Sequence, residues 1–191
     1  MKQRKLILLI LIIMLMAGCS GQPRKDSHPD WDKTWFRAGE KLASEGTEGF
    51  VLNESNDALS PAGLYYAAWT SGEGRNITNP QGQQAVVYEA QIYLLLEETG
   101  SASKAGADID KWMKREAESY ETDDEKAVNV NGQSFRILPL LSAKSENPFD
   151  HGMAAFGVIG SDAVTVELLC TADYDGDPET VLMRFLNGLH Y

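Results

Sequence analysis

The chain has 191 residues, a formal net charge of −11 at pH 7 and a hydrophobic fraction of 43%. An acidic surface repels nucleic-acid phosphates and anionic lipid headgroups, so we expect no nucleic-acid partner and no polybasic binding to membranes. The length suits one domain with a sizeable core. Only two cysteines are present, Cys19 and Cys170.

The first residues have the pattern of a secretory leader. Three basic residues precede the apolar run Leu6–Met16, which is too short to span a bilayer, where about 20 helical residues are needed. Ala17 and Gly18 then lead to Cys19. This segment resembles the lipobox of bacterial lipoproteins, with Met16 where that family prefers leucine. The resemblance implies cleavage after Gly18 and attachment of a diacylglycerol to Cys19; a cleaved secretory signal with an incidental cysteine is the alternative.

These features divide the chain into three parts. Residues 1–18 are the predicted signal peptide, residues 19–30 the lipidated cysteine and a flexible polar tether, and residues 31–191 a single extracytoplasmic domain. Cleavage would remove three positive charges and change the net charge from −11 to −14. The expected location is the outer face of the cell membrane, held by the lipid anchor.

Helical and extended patterns alternate in the first half of the domain. Trp31, Trp35, Ala38 and Leu42 recur at helical spacing, which predicts a helix that Gly46 ends. The remaining predictions for this half are a strand over Phe50–Leu52, a polar loop over 53–63, a strand over Leu64–Thr70, an irregular loop over 71–84 and one long strand over Val86–Glu97.

The second half carries clearer signals. Ile109, Trp112 and Met113 belong to a helical stripe over Ser103–Tyr120, and the acidic run 121–125 is predicted to be a solvated turn. Asn131-Gly132 predicts a hairpin that places Val128 opposite Phe135. Pro139 is expected to end that strand. The remaining predictions are a loop over 142–150, a second hairpin over Met153–Ile159 and Ala163–Thr171, and a last helix that Asp177 caps and Pro178 begins, with an apolar stripe of Val181, Leu182, Phe185, Leu186 and Leu189.

This element order predicts an α+β fold in which helices pack on an antiparallel sheet. From Ala85 to Tyr191 the order resembles the Mog1/PsbP-like fold, and the whole chain is similar to small uncharacterised lipoproteins of Gram-positive bacteria. The first resemblance implies a scaffold for binding or assembly, although a shared fold does not by itself give a function.

Candidate ligand-binding residues lie around the 71–84 loop. Tyr65, Tyr66 and Trp69 could stack on a sugar or peptide beside Arg75, although aromatic residues on strands are more commonly core residues. Cys170 is expected to be a buried structural thiol.

We expect no metal and no cofactor. The histidines are scattered, and the acidic loop over 173–179 lacks the EF-hand spacing; a looser oxygen cage from Asp173, Asp175 and Asp177 is the alternative.

The sequence therefore predicts a membrane-anchored lipoprotein that acts as a non-catalytic binding or assembly module for an unknown protein or envelope partner. Two alternatives stay open. One is an enzyme that acts on envelope polymers through carboxylates that the sequence does not pair. The other is a peptide or sugar binder that uses residues 64–84.

Overall fold

The computed structural model describes residues 30–60, 63–78, 82 and 84–191. The predicted leader, Cys19 and nearly all of the tether lie outside these ranges. The elements in chain order are β1 (Phe36–Ala38), β2 (Leu42–Ser44), β3 (Val51–Asn56), β4 (Leu64–Ser71), β5 (Arg75–Thr78), β6 (Gln84–Val87), β7 (Ala90–Glu97), α1 (Ala102–Ser119), β8 (Tyr120–Thr122), β9 (Lys126–Val130), β10 (Gln133–Ala143), β11 (His151–Ile159), β12 (Asp162–Cys170), α2 (Pro178–Asn187) and β13 (Leu189–His190).

A central antiparallel sheet organises the fold. Its strand order is β3-β4-β7-β12-β11-β10-β8, and β9 pairs with β10 beside β8. A second sheet has the order β1-β2-β13, and β5 pairs with β6. Helices packed on an antiparallel sheet confirm the predicted α+β class.

Each helix covers a different face of the central sheet. On the α2 face, Leu182, Phe185 and Leu186 are fully buried in one apolar cluster with inward side chains of β4, β7, β11 and β12. On the α1 face, Ile109 and Met113 join a second cluster with residues of β10 and β11. Burial of one such side chain stabilises the fold by about 1.5–3 kcal/mol, so the two clusters hold the helices on the sheet.

Both predicted helices in the second half of the domain are confirmed, and their starts have the expected chemistry. Ser101 caps α1, its Oγ accepting a hydrogen bond of 3.2 Å from the Lys104 amide. Asp177 caps α2 by accepting a 3.2 Å hydrogen bond from the Thr180 amide, and Pro178 occupies the first turn. Each cap satisfies an amide that the first helical turn leaves without a partner.

The helix predicted over Trp31–Leu42 is wrong. This segment forms β1, a turn at Gly39 and β2, because β2 pairs both with β1 and with β13 at the other end of the chain. Phe36, Ala38 and Leu42 are buried in the α2-face cluster. The apolar residues therefore reach the core from two short strands.

Four further predictions need correction. The irregular segment over 71–84 contains β5, and the long strand over Val86–Glu97 is two strands, since β6 pairs with β5 while β7 joins the central sheet. Part of the loop predicted over 53–63 belongs to β3, which continues to Asn56. Pro139 does not end its strand: β10 continues to Ala143. The Pro139 carbonyl accepts a 3.3 Å hydrogen bond from the Asp123 amide, so the Pro139 backbone points toward the gap between β8 and β9. The amide proton that proline lacks therefore removes no hydrogen bond to β11.

Candidate functional site

A row of polar and small residues crosses the α1 face of the sheet. Register pairs place Glu54 of β3 beside Ala68 of β4, Ala68 beside Tyr93 of β7, and Tyr93 beside Glu167 of β12. We call these four residues the acid–tyrosine row. Glu54 is exposed, Ala68 is buried, Tyr93 is half-buried and Glu167 is buried, so the two ends of the row differ in exposure.

The position of α1 determines how much of this face is covered. The helix packs on β10, β11 and β12, so the row approaches it from the β3 side and ends at the edge of its footprint. Trp112 and Glu116 lie one helical turn apart and are half-buried. Trp112 and Tyr93 both pack against the apolar cluster under α1. Aromatic and acidic side chains thus surround the buried end of the row.

Glu167 is the unusual residue of the row. It is 8% exposed, on a strand whose nine residues are all buried. Burial raises the pKa of Glu167, and the Glu116 carboxylate on α1 raises it further, while Arg115 opposes both effects. Burial likewise raises the pKa of Glu116. The pKa of Glu167 therefore lies well above that of an exposed glutamate.

A buried polar group without a hydrogen-bond partner lies beside it. Thr165 is two residues before Glu167 on the same face of β12, and its side chain is 3% exposed. Its Oγ1 has no hydrogen-bond partner within the part of the chain that the structure describes. Most buried polar side chains in native proteins are paired, so this hydroxyl is an exception.

Tyrosine hydroxyls complete the surroundings. Burial and then the Glu167 and Glu54 carboxylates raise the pKa of Tyr93, and burial followed by Glu54 raises that of Tyr66. Burial also raises the pKa of Tyr120 at the start of β8. The Tyr120 hydroxyl accepts a 2.8 Å hydrogen bond from the Asn147 side-chain amide. These rings form a neutral aromatic surround for the acids.

The ligand-binding residues predicted from sequence do not form one surface. Tyr65 and Trp69 point to the α2 face and are 4% and 3% exposed, and the Trp69 ring meets Phe185 edge-on at 4.9 Å. Tyr66 points to the α1 face, next to the row. Arg75 lies on β5 and forms a 3.2 Å ion pair with Asp173. Tyr66 is therefore the one predicted residue at the candidate site.

The sequence analysis missed Tyr93, Glu116 and Glu167. A glutamate at every-other spacing with Ala163, Thr165 and Leu169 in a strand otherwise rich in apolar residues is a signal that could have marked Glu167. The same signal does not identify Tyr93 on β7 or Glu116 on α1 as neighbours of Glu167.

A shallow pocket of about 350 Å³ lies on the α2 side of the molecule. It is lined by Trp35, Glu45, Gly46, Thr47, Glu48 and Arg184. Arg184 and Glu48 form a 3.4 Å ion pair there, and Trp35 stacks on His190 with ring centroids 4.4 Å apart. Two of its charged groups, Arg184 and Glu48, already pair with each other, so the acid–tyrosine row is the stronger candidate.

The described ranges contain no candidate metal centre and no candidate membrane-spanning helix. Within them, no group of three or more histidine, cysteine or acidic side chains is arranged to hold a metal ion. No helix in the same ranges is both long and apolar enough to cross a membrane.

Cys170 is a free, fully buried thiol, and burial raises its pKa to about 12.

Comparison with known proteins finds a distant similarity to a solved structure. No protein-family model and no curated protein matches the sequence. The chain is similar to the solution structure of cyanobacterial PsbP (CyanoP) from Synechocystis sp. PCC 6803, with a TM-score of 0.39 and 13% identity over 72% of this chain and 97% of that chain. A TM-score this low does not establish a PsbP-like architecture, which therefore stays a prediction.

Proposed function

We propose that this chain is a lipoprotein anchored through Cys19 at the extracytoplasmic face of the cell membrane, and that it acts as a non-catalytic binding or assembly module. Its ligand or partner binds at the acid–tyrosine row, beside the half-buried side chains of Tyr66, Trp112 and Glu116. The lipid holds the domain near envelope components, and the tether lets the row reach them.

The single observation that supports this proposal is the pair of buried polar side chains on β12, the Glu167 carboxyl group and the Thr165 hydroxyl, of which Thr165 Oγ1 has no hydrogen-bond partner within the described residues. Leaving a buried polar group without a partner costs about 1–3 kcal/mol, so such a group is expected where a ligand supplies the missing partner. The route toward this pair runs along the row, from the exposed Glu54 past the buried Ala68 and the half-buried Tyr93. Half-exposed aromatic side chains beside the route supply the apolar contact that binding sites use.

An enzyme acting on envelope polymers is the second candidate, favoured by one observation. Glu116 and Glu167, which no sequence pattern pairs, lie close enough that the charge of Glu116 raises the pKa of Glu167. Two carboxyl groups with different proton affinities form the acid–base pair of glycoside hydrolases. The depth of Glu167 weighs against this role, since a polymer backbone would have to reach a side chain that is 8% exposed.

The test uses peptide and glycan arrays probed with the full chain in nonionic detergent. The chain is compared with Glu167→Gln and Tyr93→Ala, which alter the row, and with Glu48→Gln, which alters an exposed carboxylate of the α2-side pocket. The expected result is a saturable signal that the two row variants weaken by about tenfold or more and the control variant retains.

Other outcomes decide against the proposal. A signal that the row variants retain, or that only Glu48→Gln removes, would place binding elsewhere. The absence of any signal from both arrays would set aside the peptide and sugar binder. Release of shortened products from envelope polymers by the full chain, lost in Glu116→Gln, would establish the enzyme instead.

A further inference from the structure

We infer that the buried end of the acid–tyrosine row binds a primary alkylammonium ion, the charged group of a lysine side chain or of a small amine, at the Glu167 carboxylate. The inference rests on the proposed binding function and names the chemical class of the ligand.

The first argument is the hydrogen-bonding character of the buried polar groups. Glu167 and Glu116 offer carboxyl oxygens, and Thr165 offers a hydroxyl oxygen without a partner within the described residues. All of these oxygen atoms can accept hydrogen bonds. A primary ammonium donates three N–H bonds from one compact centre, which suits a group of oxygen acceptors. A quaternary ammonium carries no N–H and cannot make these bonds.

The second argument is the charge of the groups that face Glu167 from each packed element. The helix α1 contributes Glu116 and Arg115, β7 contributes Tyr93, and β8 contributes Tyr120. The neighbouring position on β11 is Ala154, which cannot ionise. Arg115 is the one cation of this set, and it is exposed. The acids therefore exceed the cations at the site.

The third argument is the aromatic lining. The Tyr93 side chain is the register neighbour of Glu167, and Tyr66 lies next to the row on β4. Tyrosine rings attract a cation through the negative potential of their faces, by about 0.5–2 kcal/mol depending on how dry the site is. Ala68 lies between Glu54 and Tyr93 in the row, and its small side chain is buried there.

Binding of the ammonium ion is coupled to the release of protons from the acids. Without a ligand, Glu167 and Glu116 hold protons to higher pH than exposed glutamates do, because burial raises their pKa values. An ammonium ion stabilises the ionised carboxylates, so its binding at neutral pH releases protons to the buffer. Affinity therefore rises with pH across the window in which the free site is protonated, and stops rising when the site is already ionised.

The experiment is calorimetric titration of the full chain in nonionic detergent with four probes. Nα-acetyl-lysine N-methylamide and n-butylamine carry the ammonium. Nα-acetyl-norleucine N-methylamide is the neutral match, and choline is the cation without N–H donors. Titrations in two buffers of different ionisation enthalpy measure the protons released. The variants are Glu167→Gln, Glu116→Gln and Arg115→Gln.

The inference expects both amines to bind, with proton release and an affinity that increases from acidic to mildly basic pH. Stronger binding of the lysine derivative would indicate a polypeptide ligand, and equal binding would indicate a free amine. Glu167→Gln should weaken binding by about tenfold or more and reduce the proton release, whereas Arg115→Gln should strengthen it. Glu116→Gln, on the half-buried helix position, repeats the test if Glu167→Gln does not fold.

Equal binding of the norleucine derivative or choline would overturn the inference, as would no binding of either amine. These failures are separate from failure of the proposed function. An array signal that still depends on Tyr93 would keep the row as a binding site for a ligand of another chemistry.

Discussion

Gly157 of β11 lies directly against the ring of Phe135 on β10. The two residues are register partners, and a Cβ built on Gly157 would come within 2.8 Å of the Phe135 Cδ1 and Cε1 atoms. Phe135 is fully buried in the α2-face cluster. Because Gly157 has no side chain, the Phe135 ring can lie flat on the sheet.

Gly157→Ala should destabilise the domain by about 1–3 kcal/mol, because the ring must move in a packed core. Denaturant unfolding measures this change. Gly106→Ala is the matched control: Gly106 lies inside α1 with open space around it, so alanine should stabilise the helix by up to about 1 kcal/mol. A neutral result for Gly157→Ala would mean that Phe135 repacks without cost.

Stability should fall as pH rises from about 4.5 to 8. Burial raises the pKa of Glu116 to about 7 and that of Glu167 to about 8, above the value of about 4.3 in an unfolded chain. In this window the folded chain holds protons that the unfolded chain has released, so raising the pH favours unfolding, by an amount on the order of a few kcal/mol. Denaturant midpoints across the window measure the effect.

Glu167→Gln should flatten that pH dependence and increase stability at the basic end, since it removes the acid and keeps its shape. The exposed helix residue Glu118 gives the control, because Glu118→Gln should leave the slope unchanged. An unaltered slope in Glu167→Gln would show that the Glu167 carboxylate is ionised in the folded chain throughout.

The last helix should be indispensable to the fold. Phe185 is fully buried against Trp69, and its replacement by alanine should cost about 3–5 kcal/mol. The neighbouring Arg184 is half-exposed and forms a 3.4 Å surface ion pair with Glu48, so Arg184→Ala should cost under about 1 kcal/mol. Equal, small losses in denaturant unfolding would mean that α2 is a detachable tail.

Cys19→Ala tests the anchor. The variant should lose incorporation of labelled fatty acid and should either keep its leader or be released from membranes, because the thiol that would carry the diacylglycerol is absent. Cys170→Ala is the matched control and should label normally. Continued labelling of Cys19→Ala would exclude the lipoprotein interpretation.

Turn chemistry was the most reliable guide to the fold. Asn131 and Gly132 both have positive φ, 50° and 81°, as a type I′ turn requires, and Val128 pairs with Phe135 as predicted. The second hairpin was predictable for the same reason, since its strands are close in sequence. Local rules succeed where the partner strand follows within one turn.

Long-range pairing explains the failures. The spacing of Trp31, Ala38 and Leu42 fits a helix, and nothing nearby in sequence reveals that β2 will pair with β13 at the opposite end of the chain. The candidate site was hidden for the same reason. Glu167, Tyr93 and Glu116 come from three elements that only the sheet order brings together.

The alternation along β12 has a consequence for folding itself. All nine residues of this strand are buried, with Val166 and Leu168 facing α2 and Glu167 facing α1. A slip of one residue would reverse every side chain and carry an acid into the apolar cluster around Phe185, at a cost of several kcal/mol. Glu167 therefore penalises the misaligned sheet. An apolar residue in place of Glu167 would make the strand nearly uniformly apolar, so that it could pair in either register. Refolding of such a variant should then yield more aggregate.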